Sequence, residues 1–390
     1  MSRALAAIIL EVALCSLSEG LAPVSHTPAR TVTLPVERGF VTVSIDGQKV
    51  ELLVDSGAHA LIVLDGHWYE GMYGKGACEK SGSGCFFCPV EAPCEFSGAE
   101  ERTQLRFVDG TMIESISRRG SLVLGERDAV DVIYKISRPM SPSRLSIPRG
   151  YFGLSRRPTV STNRESLLES LVQQSVIQGL SFTIRPSEEQ LGRFISGQLI
   201  LGGTVNLSEA TNYMLPGWPD DPVNHRAIPA VWVTSVDLLD ARGSPTTEGA
   251  TGHRHHRCSF RAALDTGANS MNLPHPGLLE DIERELITKM REKGYTEERI
   301  GRLWGRTNKG FVHVRSRALE FLPVLALTLG GEENSILIKI RPKHYCTHIV
   351  GGCFILFVQE HVSGYLGTPF FAAYSVHVDY TNNRTVLLEN

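Results

Sequence analysis

The sequence predicts an all-β fold of two lobes, with a few short helices and a cleft between the lobes. Apolar and polar residues alternate over many short stretches, which is typical of half-buried strands. One alternating strand ends in Asp-(Ser/Thr)-Gly-Ala, and this pattern occurs once in each half of the chain, at 55–58 and 265–268. Helical periodicity is confined to 166–174, 277–293 and 296–303.

The first copy of the motif follows a predicted hairpin. Residues 41–45 alternate, Asp46-Gly47 is a tight-turn signal, and the alternating residues 50–54 run into Asp55. In the second half, another alternating stretch runs into Asp265 in the same way. The chain therefore consists of two related halves, each of which delivers one aspartate from the end of a strand.

A weaker element follows each copy and marks the extent of the halves. Tyr151-Phe152-Gly153-Leu154 follows the first copy and Tyr365-Leu366-Gly367 follows the second. Prolines cluster between Val205 and Asn224, as in a connection. We expect an N-terminal lobe over 32–210 and a C-terminal lobe over 211–390.

Two aspartates that meet across a symmetric cleft can activate water. Carboxylates about 3 Å apart cannot both ionise, so the pair shares one proton. The ionised member takes a proton from a water between them, and the protonated member donates to the substrate carbonyl. We therefore expect Asp55 and Asp265 to be catalytic, with no metal and no organic cofactor.

The residues after each aspartate suit a supporting role. Gly57 and Gly267 let the backbone turn and approach closely. The hydroxyls of Ser56 and Thr266 can bond to the backbone of the opposite loop and hold the two halves together.

With these motifs in order, the sequence resembles the pepsin-like aspartic proteases from roughly residue 36 to its end. Val54–Gly57 and Leu264–Gly267 look like the two active-site loops, and Gly150–Leu154 and Gly364–Gly367 look like the two ψ-loops. The resemblance implies a bilobal fold and an endopeptidase acting on protein or peptide substrates. Other matching segments are Gly197–Gly203 before the interlobe crossing, Trp232–Thr234 at the start of the second lobe, Pro369–Phe371 in the helix after the second ψ-loop, and the closing hairpin Val376–Leu388.

The resemblance also places the flap, the hairpin that closes over substrate in this family. Phe107-Val108-Asp109-Gly110-Thr111 is similar to the Tyr-Gly-Asp-Gly-Ser flap of the plant nepenthesin-like branch, as is the cysteine-rich stretch before it. Phe107, Asp109 and Gly110 are the flap residues it implies. The family's flap tyrosine bonds a tryptophan whose position is taken here by Ile62, so we expect an apolar contact in place of that bond.

Other departures from the family leave alternatives open. Ala58 and Ala268 stand where many relatives carry a hydroxyl, and its loss should raise the pKa values of the two aspartates. We therefore expect an activity optimum less acidic than that of pepsin. Besides an active endopeptidase, the chain could be a catalytically weak or inactive pepsin-like binding or inhibitor protein. A third reading is an unrelated β-rich secreted domain with coincidental Asp-Gly turns.

The N-terminus has the layout of a signal peptide over residues 1–22. Arg3 precedes a mostly apolar stretch broken by Glu11, and small residues follow. A membrane anchor or a core strand is the alternative. No later segment is apolar for the roughly 18 residues that a spanning helix needs, so we expect no stable membrane insertion. On this interpretation only about 15–20 residues separate the signal-peptide cleavage site from the first strand, which is too few for a long basic prosegment. The predicted location is the secretory pathway, ending outside the cell or in a lysosome- or vacuole-like compartment.

The cysteines agree with an oxidising compartment. We expect local disulfides among Cys78, Cys85, Cys88 and Cys94, and between Cys346 and Cys353, with Cys258 left unpaired. The alternative for the first four is a zinc cluster, although their spacing matches no standard finger. Two glycosylation sequons begin at Asn206 and Asn383.

The remaining features indicate no further partner. The net charge of -3 gives no reason to expect nucleic acid, and we expect a monomer. The stretch 243–257, with His253, His255 and His256, is predicted to be a surface insertion with a solvated hairpin tip; metal binding is the alternative.

Overall fold

A computed structural model gives the structure of the chain. It describes residues 30–97, 102–107, 110–140, 148–156, 166–190, 193–205, 212–215, 228–240, 243, 255–307, 312–331, 334–349, 353–356, 358–360 and 363–389.

The first half of the chain folds mainly into strands, because its apolar residues alternate with a period of two. Its elements are β1 (Val32–Val36), β2 (Phe40–Ile45), β3 (Gln48–Asp55), β4 (Leu61–Asp65), α1 (Gly66–Tyr73), α2 (Ala77–Ser81), β5 (Cys85–Phe86), β6 (Thr103–Arg106), β7 (Met112–Val123), β8 (Val130–Pro139), β9 (Tyr151–Gly153), α3 (Leu167–Gln173), β10 (Ser181–Pro186) and β11 (Gly197–Leu201).

The second half repeats this strand-rich pattern with longer helices inserted. Its elements are β12 (Asn212–Leu215), β13 (Ala230–Leu239), β14 (His255–Leu264), β15 (Met271–Leu273), α4 (Leu278–Glu292), α5 (Glu297–Leu303), β16 (Trp304–Arg306), β17 (Val312–Arg315), a 3-10 helix (Ser316–Phe321), β18 (Val324–Leu329), β19 (Ile336–Ile340), α6 (Pro342–Tyr345), β20 (Cys346–Ile349), β21 (Cys353–Leu356), β22 (Val358–Glu360), β23 (Gly364–Leu366), α7 (Thr368–Ala373), β24 (Tyr374–Asp379) and β25 (Arg384–Glu389).

Each half builds its own main sheet, and a third sheet joins the halves. The first half contributes the order β2-β3-β9-β4-β8-β7-β6, and the second contributes β19-β18-β13-β14-β23-β15-β22 with a smaller sheet β16-β17-β21-β20. The joining sheet has the order β1-β11-β10-β24-β25-β12, so the closing hairpin β24–β25 pairs with β10 from the first half. The boundary expected at 210/211 lies outside the described residues.

The predicted hairpin at the first motif is present. β2 and β3 pair around the turn at Asp46-Gly47, and Val41, Val43, Val50 and Leu52 are buried. Because their polar neighbours point to the opposite face, the alternation read from the sequence corresponds to one buried face.

The predicted helices are also present. Ser166 caps α3 and forms a capping box with Glu169. Thr296 caps α5. Helix α4 buries one stripe of side chains spaced four residues apart, which is the period expected of a packed helix: Leu278, Ile282, Leu286 and Met290. The sequence did not predict α1, which begins at the buried side-chain cap Asp65.

The insertion expected over 243–257 is shorter than predicted. His255, His256 and Arg257 belong to β14 and pair with Asp237, Val236 and Ser235. Because β13 extends to Leu239, it provides a partner strand for these residues. The β13–β14 pairing therefore begins before the alternating residues 258–264 that the sequence indicated. His253 lies outside the described residues.

Two of the expected disulfides form, Cys78–Cys85 and Cys88–Cys94, so the zinc alternative for this segment is wrong. The pairing expected for Cys346 is also wrong, since this thiol is free and buried. The β20–β21 register places Leu356, and not a cysteine, opposite Cys346. Cys258 is free, as predicted.

Among the described residues, none of the helices has the length and apolar character needed to cross a bilayer. The predicted signal peptide at 1–22 lies outside them.

Candidate active site

The same strand arrangement positions both aspartates. β3 runs parallel to β9, with Asp55 opposite Gly153, and β14 runs parallel to β23, with Leu264 opposite Leu366. β9 and β23 in turn pair antiparallel with β4 and β15, so each aspartate leaves its strand inside a closed ψ-shaped loop.

The glycine after each large apolar pair is a steric requirement of this arrangement. A Cβ on Gly153 would lie 2.5 Å from the carbonyl oxygen of Ala60, and one on Gly367 would lie 2.3 Å from that of Ser270. Both distances are shorter than any van der Waals contact, so a side chain would force the loops apart. The repeated apolar-apolar-Gly element therefore marks a place where the backbone approaches each aspartate-bearing loop closely.

Ser56 and Thr266 lock the two loops to each other. The Ser56 N–H donates to Thr266 Oγ1 at 3.0 Å, and the Thr266 N–H donates to Ser56 Oγ at 3.0 Å. The Ser56 hydroxyl then donates to the Leu264 carbonyl at 2.7 Å, and the Thr266 hydroxyl donates to the Val54 carbonyl at 2.8 Å. Both side chains are buried, so these four bonds are shielded from water and fix the loops relative to each other.

Backbone N–H groups orient the carboxyl groups. Asp55 Oδ1 accepts from Gly57 at 2.7 Å and from Ala58 at 3.1 Å, and Asp265 Oδ1 accepts from Gly267 at 2.9 Å. A Cβ on Gly267 would lie 2.8 Å from Asp55 Cγ, and a Cβ on Gly57 would lie 3.3 Å from Asp265 Cγ. Each carboxyl group therefore faces the loop that carries the other.

Burial and mutual repulsion change the acidity of the pair. Burial, and then the charge of Asp265, raise the pKa of Asp55 well above its usual range, against the lowering effect of the N–H groups of Gly57 and Ala58. Burial also raises the pKa of Asp265, while backbone N–H groups and the hydrogen bond with Asp55 lower it. Both shifts favour a pair of carboxyl groups that shares one proton.

The flap segment forms a tight hairpin between β6 and β7. The Phe107 N–H donates to the Thr111 carbonyl at 2.8 Å, and the Gly110 N–H donates to the Phe107 carbonyl at 3.0 Å. Gly110 has φ +84°, a conformation that glycine adopts without strain. Asp109 lies outside the described residues.

Phe107 packs on Tyr151 of the first ψ-loop. The two rings are stacked, with centroids 5.0 Å apart and planes 27° apart. Ile62 is buried and lies opposite Tyr151 in the β4–β9 register. An aromatic stack thus joins the flap to the ψ-loop. The sequence pattern gave Tyr151 a place in the ψ-loop but no contact with the flap, because that contact exists only in the folded chain.

Within the described residues, no cluster of three or more His, Cys, Asp or Glu side chains could hold a metal ion.

Comparison with known proteins gives a match to solved structures alone. The sequence matches no protein-family model and no curated protein. Among solved structures 405 chains match, including an aspartic proteinase from Irpex lacteus with a TM-score of 0.61 and 13% sequence identity, over 92% of this chain and 97% of that one. Agreement over almost the whole of both chains means that this protein has the bilobal pepsin-like aspartic protease fold.

Proposed function

We propose that the protein is an aspartic endopeptidase that hydrolyses peptide bonds with a water activated between Asp55 and Asp265. The observation that carries the proposal is the pair of buried carboxyl groups held face to face by the reciprocal bonds of Ser56 and Thr266. Held in this way, the carboxyl groups need little reorganisation when a substrate arrives.

The shared proton gives each carboxyl group of the pair a role. The protonated carboxyl group donates its proton to the carbonyl oxygen of the peptide bond. The ionised carboxylate takes a proton from the water, whose oxygen attacks the carbonyl carbon to give a tetrahedral diol. When the C–N bond breaks, a proton passes to the leaving nitrogen and the pair again shares one proton. No covalent intermediate forms with the protein.

The test is a peptidase assay from acid to neutral pH, with and without pepstatin. Asp55→Asn and Asp265→Asn should each lower kcat/KM on the order of 10³-fold or more, because each removes one of the two proton-transfer groups. Asp128→Asn, the same substitution at an exposed position, is the matched control and should retain full activity. Cleavage that survives Asp55→Asn would disprove the mechanism.

One observation favours a second candidate, a pepsin-like binding or inhibitor protein with weak or no catalysis. The stack of Phe107 on Tyr151 replaces the family's polar flap contact. A flap held by ring stacking could cover a bound peptide without aligning it for attack. Tight binding of a peptide that the wild-type protein leaves uncut at every pH would support this candidate over the enzyme.

The finer expectations belong to the same proposal. Ala58 offers Asp55 its backbone N–H and no hydroxyl, which supports an optimum less acidic than that of pepsin; a pH–rate maximum at roughly pH 2–3 would contradict it. The flap sequence and the two disulfides support a place near the nepenthesin-like branch and a secretory or lysosome-like location. Asn383 is exposed in the β24–β25 turn, where a glycan would fit. We expect a monomer by size-exclusion chromatography.

A further inference from the structure

A pocket of about 570 Å³ lies where the two halves of the chain meet. The first half contributes Arg38, Gln190 and Phe194 to its wall. The second half contributes residues of the 3-10 helix, α6, β20 and α7, among them Lys343 and His344. The two catalytic aspartates do not line it.

The lining carries positive charge. The charge comes from Arg38 and Lys343, and no Asp or Glu is among the described residues that line the pocket. Among the residues that the structure describes, neither the Arg38 guanidinium nor the Lys343 ammonium forms an ion pair. The pKa of His344 is lowered to about 4. Burial is the larger cause, and the positive charges of Lys343 and Arg341 add to it.

The first-half wall is held in place by hydrogen bonds. The Gln190 amide donates to the Ser187 carbonyl at 2.7 Å and to the Ser196 carbonyl at 3.0 Å, and it accepts from the Ser196 N–H at 2.8 Å. The Ser196 hydroxyl in turn accepts from the Arg38 N–H at 3.1 Å. These bonds therefore hold the backbone at Arg38 in place before any ligand binds.

The pocket adjoins both active loops. Gly39, next to Arg38, accepts at its carbonyl from the Val54 N–H at 2.9 Å, one residue before Asp55. On the other side the Thr368 N–H donates to the Ala268 carbonyl at 2.9 Å, close to the second aspartate. The walls of the pocket are therefore hydrogen-bonded, directly at Thr368 and through Gly39 next to Arg38, to the two loops that carry the aspartates.

We infer that this pocket is a subsite for an acidic side chain of the substrate peptide, bound by Arg38 and Lys343. The inference rests on the proposed endopeptidase function and adds to it a specificity. Carboxylate recognition by a guanidinium and an ammonium is charge-assisted hydrogen bonding, and among the described residues neither cation has an ion-pair partner to give up.

The experiment uses pairs of otherwise neutral peptides that differ at one position, with Glu in one peptide and Gln in its twin. The position of this residue is varied along the peptide on both sides of the cleaved bond. We expect about a tenfold higher kcat/KM for Glu at one or two adjacent positions on a single side. The double variant Arg38→Gln/Lys343→Gln should reduce this ratio to about one by lowering kcat/KM for the Glu twin. Lys293→Ala, at an exposed cation at the end of α4, is the control and should keep the ratio.

Charge reversal sharpens the test. Lys343→Glu should transfer the preference from Glu to Lys at the same position, a result that a general loss of stability cannot produce. A wild-type Glu/Gln ratio near one at every position, or a ratio that the double variant leaves intact, would overturn the subsite while leaving the endopeptidase function standing.

If no peptide is cleaved, the proposed function fails and the subsite is tested by binding. Fluorescence anisotropy of labelled Glu and Gln twins with Asp55→Asn protein then measures the same ratio. Tighter binding of the Glu twin that is lost in Arg38→Gln/Lys343→Gln supports the subsite, and equal binding overturns it.

Discussion

His377 should make the stability of this protein fall as the pH drops from neutral to acid. It lies on β24 in the sheet that joins the two halves, and only 2% of it is exposed. Its Nδ1 shares a 2.8 Å hydrogen bond with the Thr183 hydroxyl across the β10–β24 pair. Burial lowers the pKa of His377 to about 4, against the opposing charge of Asp379 and with a smaller lowering contribution from Arg384.

The sign and size follow from proton linkage. In the unfolded chain a histidine takes up a proton near pH 6.5, whereas His377 in the native state does so only near pH 4. The stability that depends on His377 being neutral is therefore fully present above about pH 6.5 and is lost progressively as the pH falls to about 4. The free energy of unfolding should fall by about 3 kcal/mol in total.

Urea unfolding of wild type and His377→Gln at pH 7 and pH 4.5 measures this contribution. The raised pKa values of Asp55 and Asp265 act in the opposite direction, because they favour the protonated native state in acid. They are the same in both proteins and cancel in the difference. We expect the stability advantage of wild type over the variant to shrink by about 2–3 kcal/mol between the two pH values. A difference that stays constant over this range would refute the reasoning.

Three further substitutions test the packing around the site. Thr266→Val leaves the Ser56 N–H and the Val54 carbonyl without their hydrogen bonds and should lower the free energy of unfolding by about 2–4 kcal/mol. Thr42→Val, at an exposed strand position, is the control and should lower it by less than about 0.5 kcal/mol. Equal free energies of unfolding for the two variants would contradict this expectation. Asp65→Asn removes the charge that the Arg138 guanidinium binds at 2.6 and 2.9 Å, and should cost about 3 kcal/mol in chemical denaturation; a loss under about 1 kcal/mol would show that the pair is solvated. Phe107→Ala should raise KM several-fold while Phe107→Tyr, which keeps the ring, should not; equal KM values would remove the stack from the flap's function.

Much of the fold was predictable because its signals are local and repeated. The β2–β3 hairpin, the capping box of α3 and the four-residue stripe of α4 each follow from neighbours in sequence. The predictions that failed concern pairing over longer distances. The start of β14 at His255 depends on β13, and the free thiol of Cys346 depends on the β20–β21 register, neither of which local spacing encodes.

The duplicated Asp-(Ser/Thr)-Gly-Ala strands are visible in the chain before it folds, and they predict a two-lobed fold with the two aspartates as its candidate centre. Which other groups meet at that centre depends on folding. The reciprocal bonds of Ser56 and Thr266, the stack of Phe107 on Tyr151, and the basic pocket join residues far apart in the chain. Periodicity and turn signals depend on residues that are a few positions apart in the sequence, so they can be read before folding. The pKa shifts, ring stacking and pocket charge depend on groups that folding brings within a few ångströms of each other.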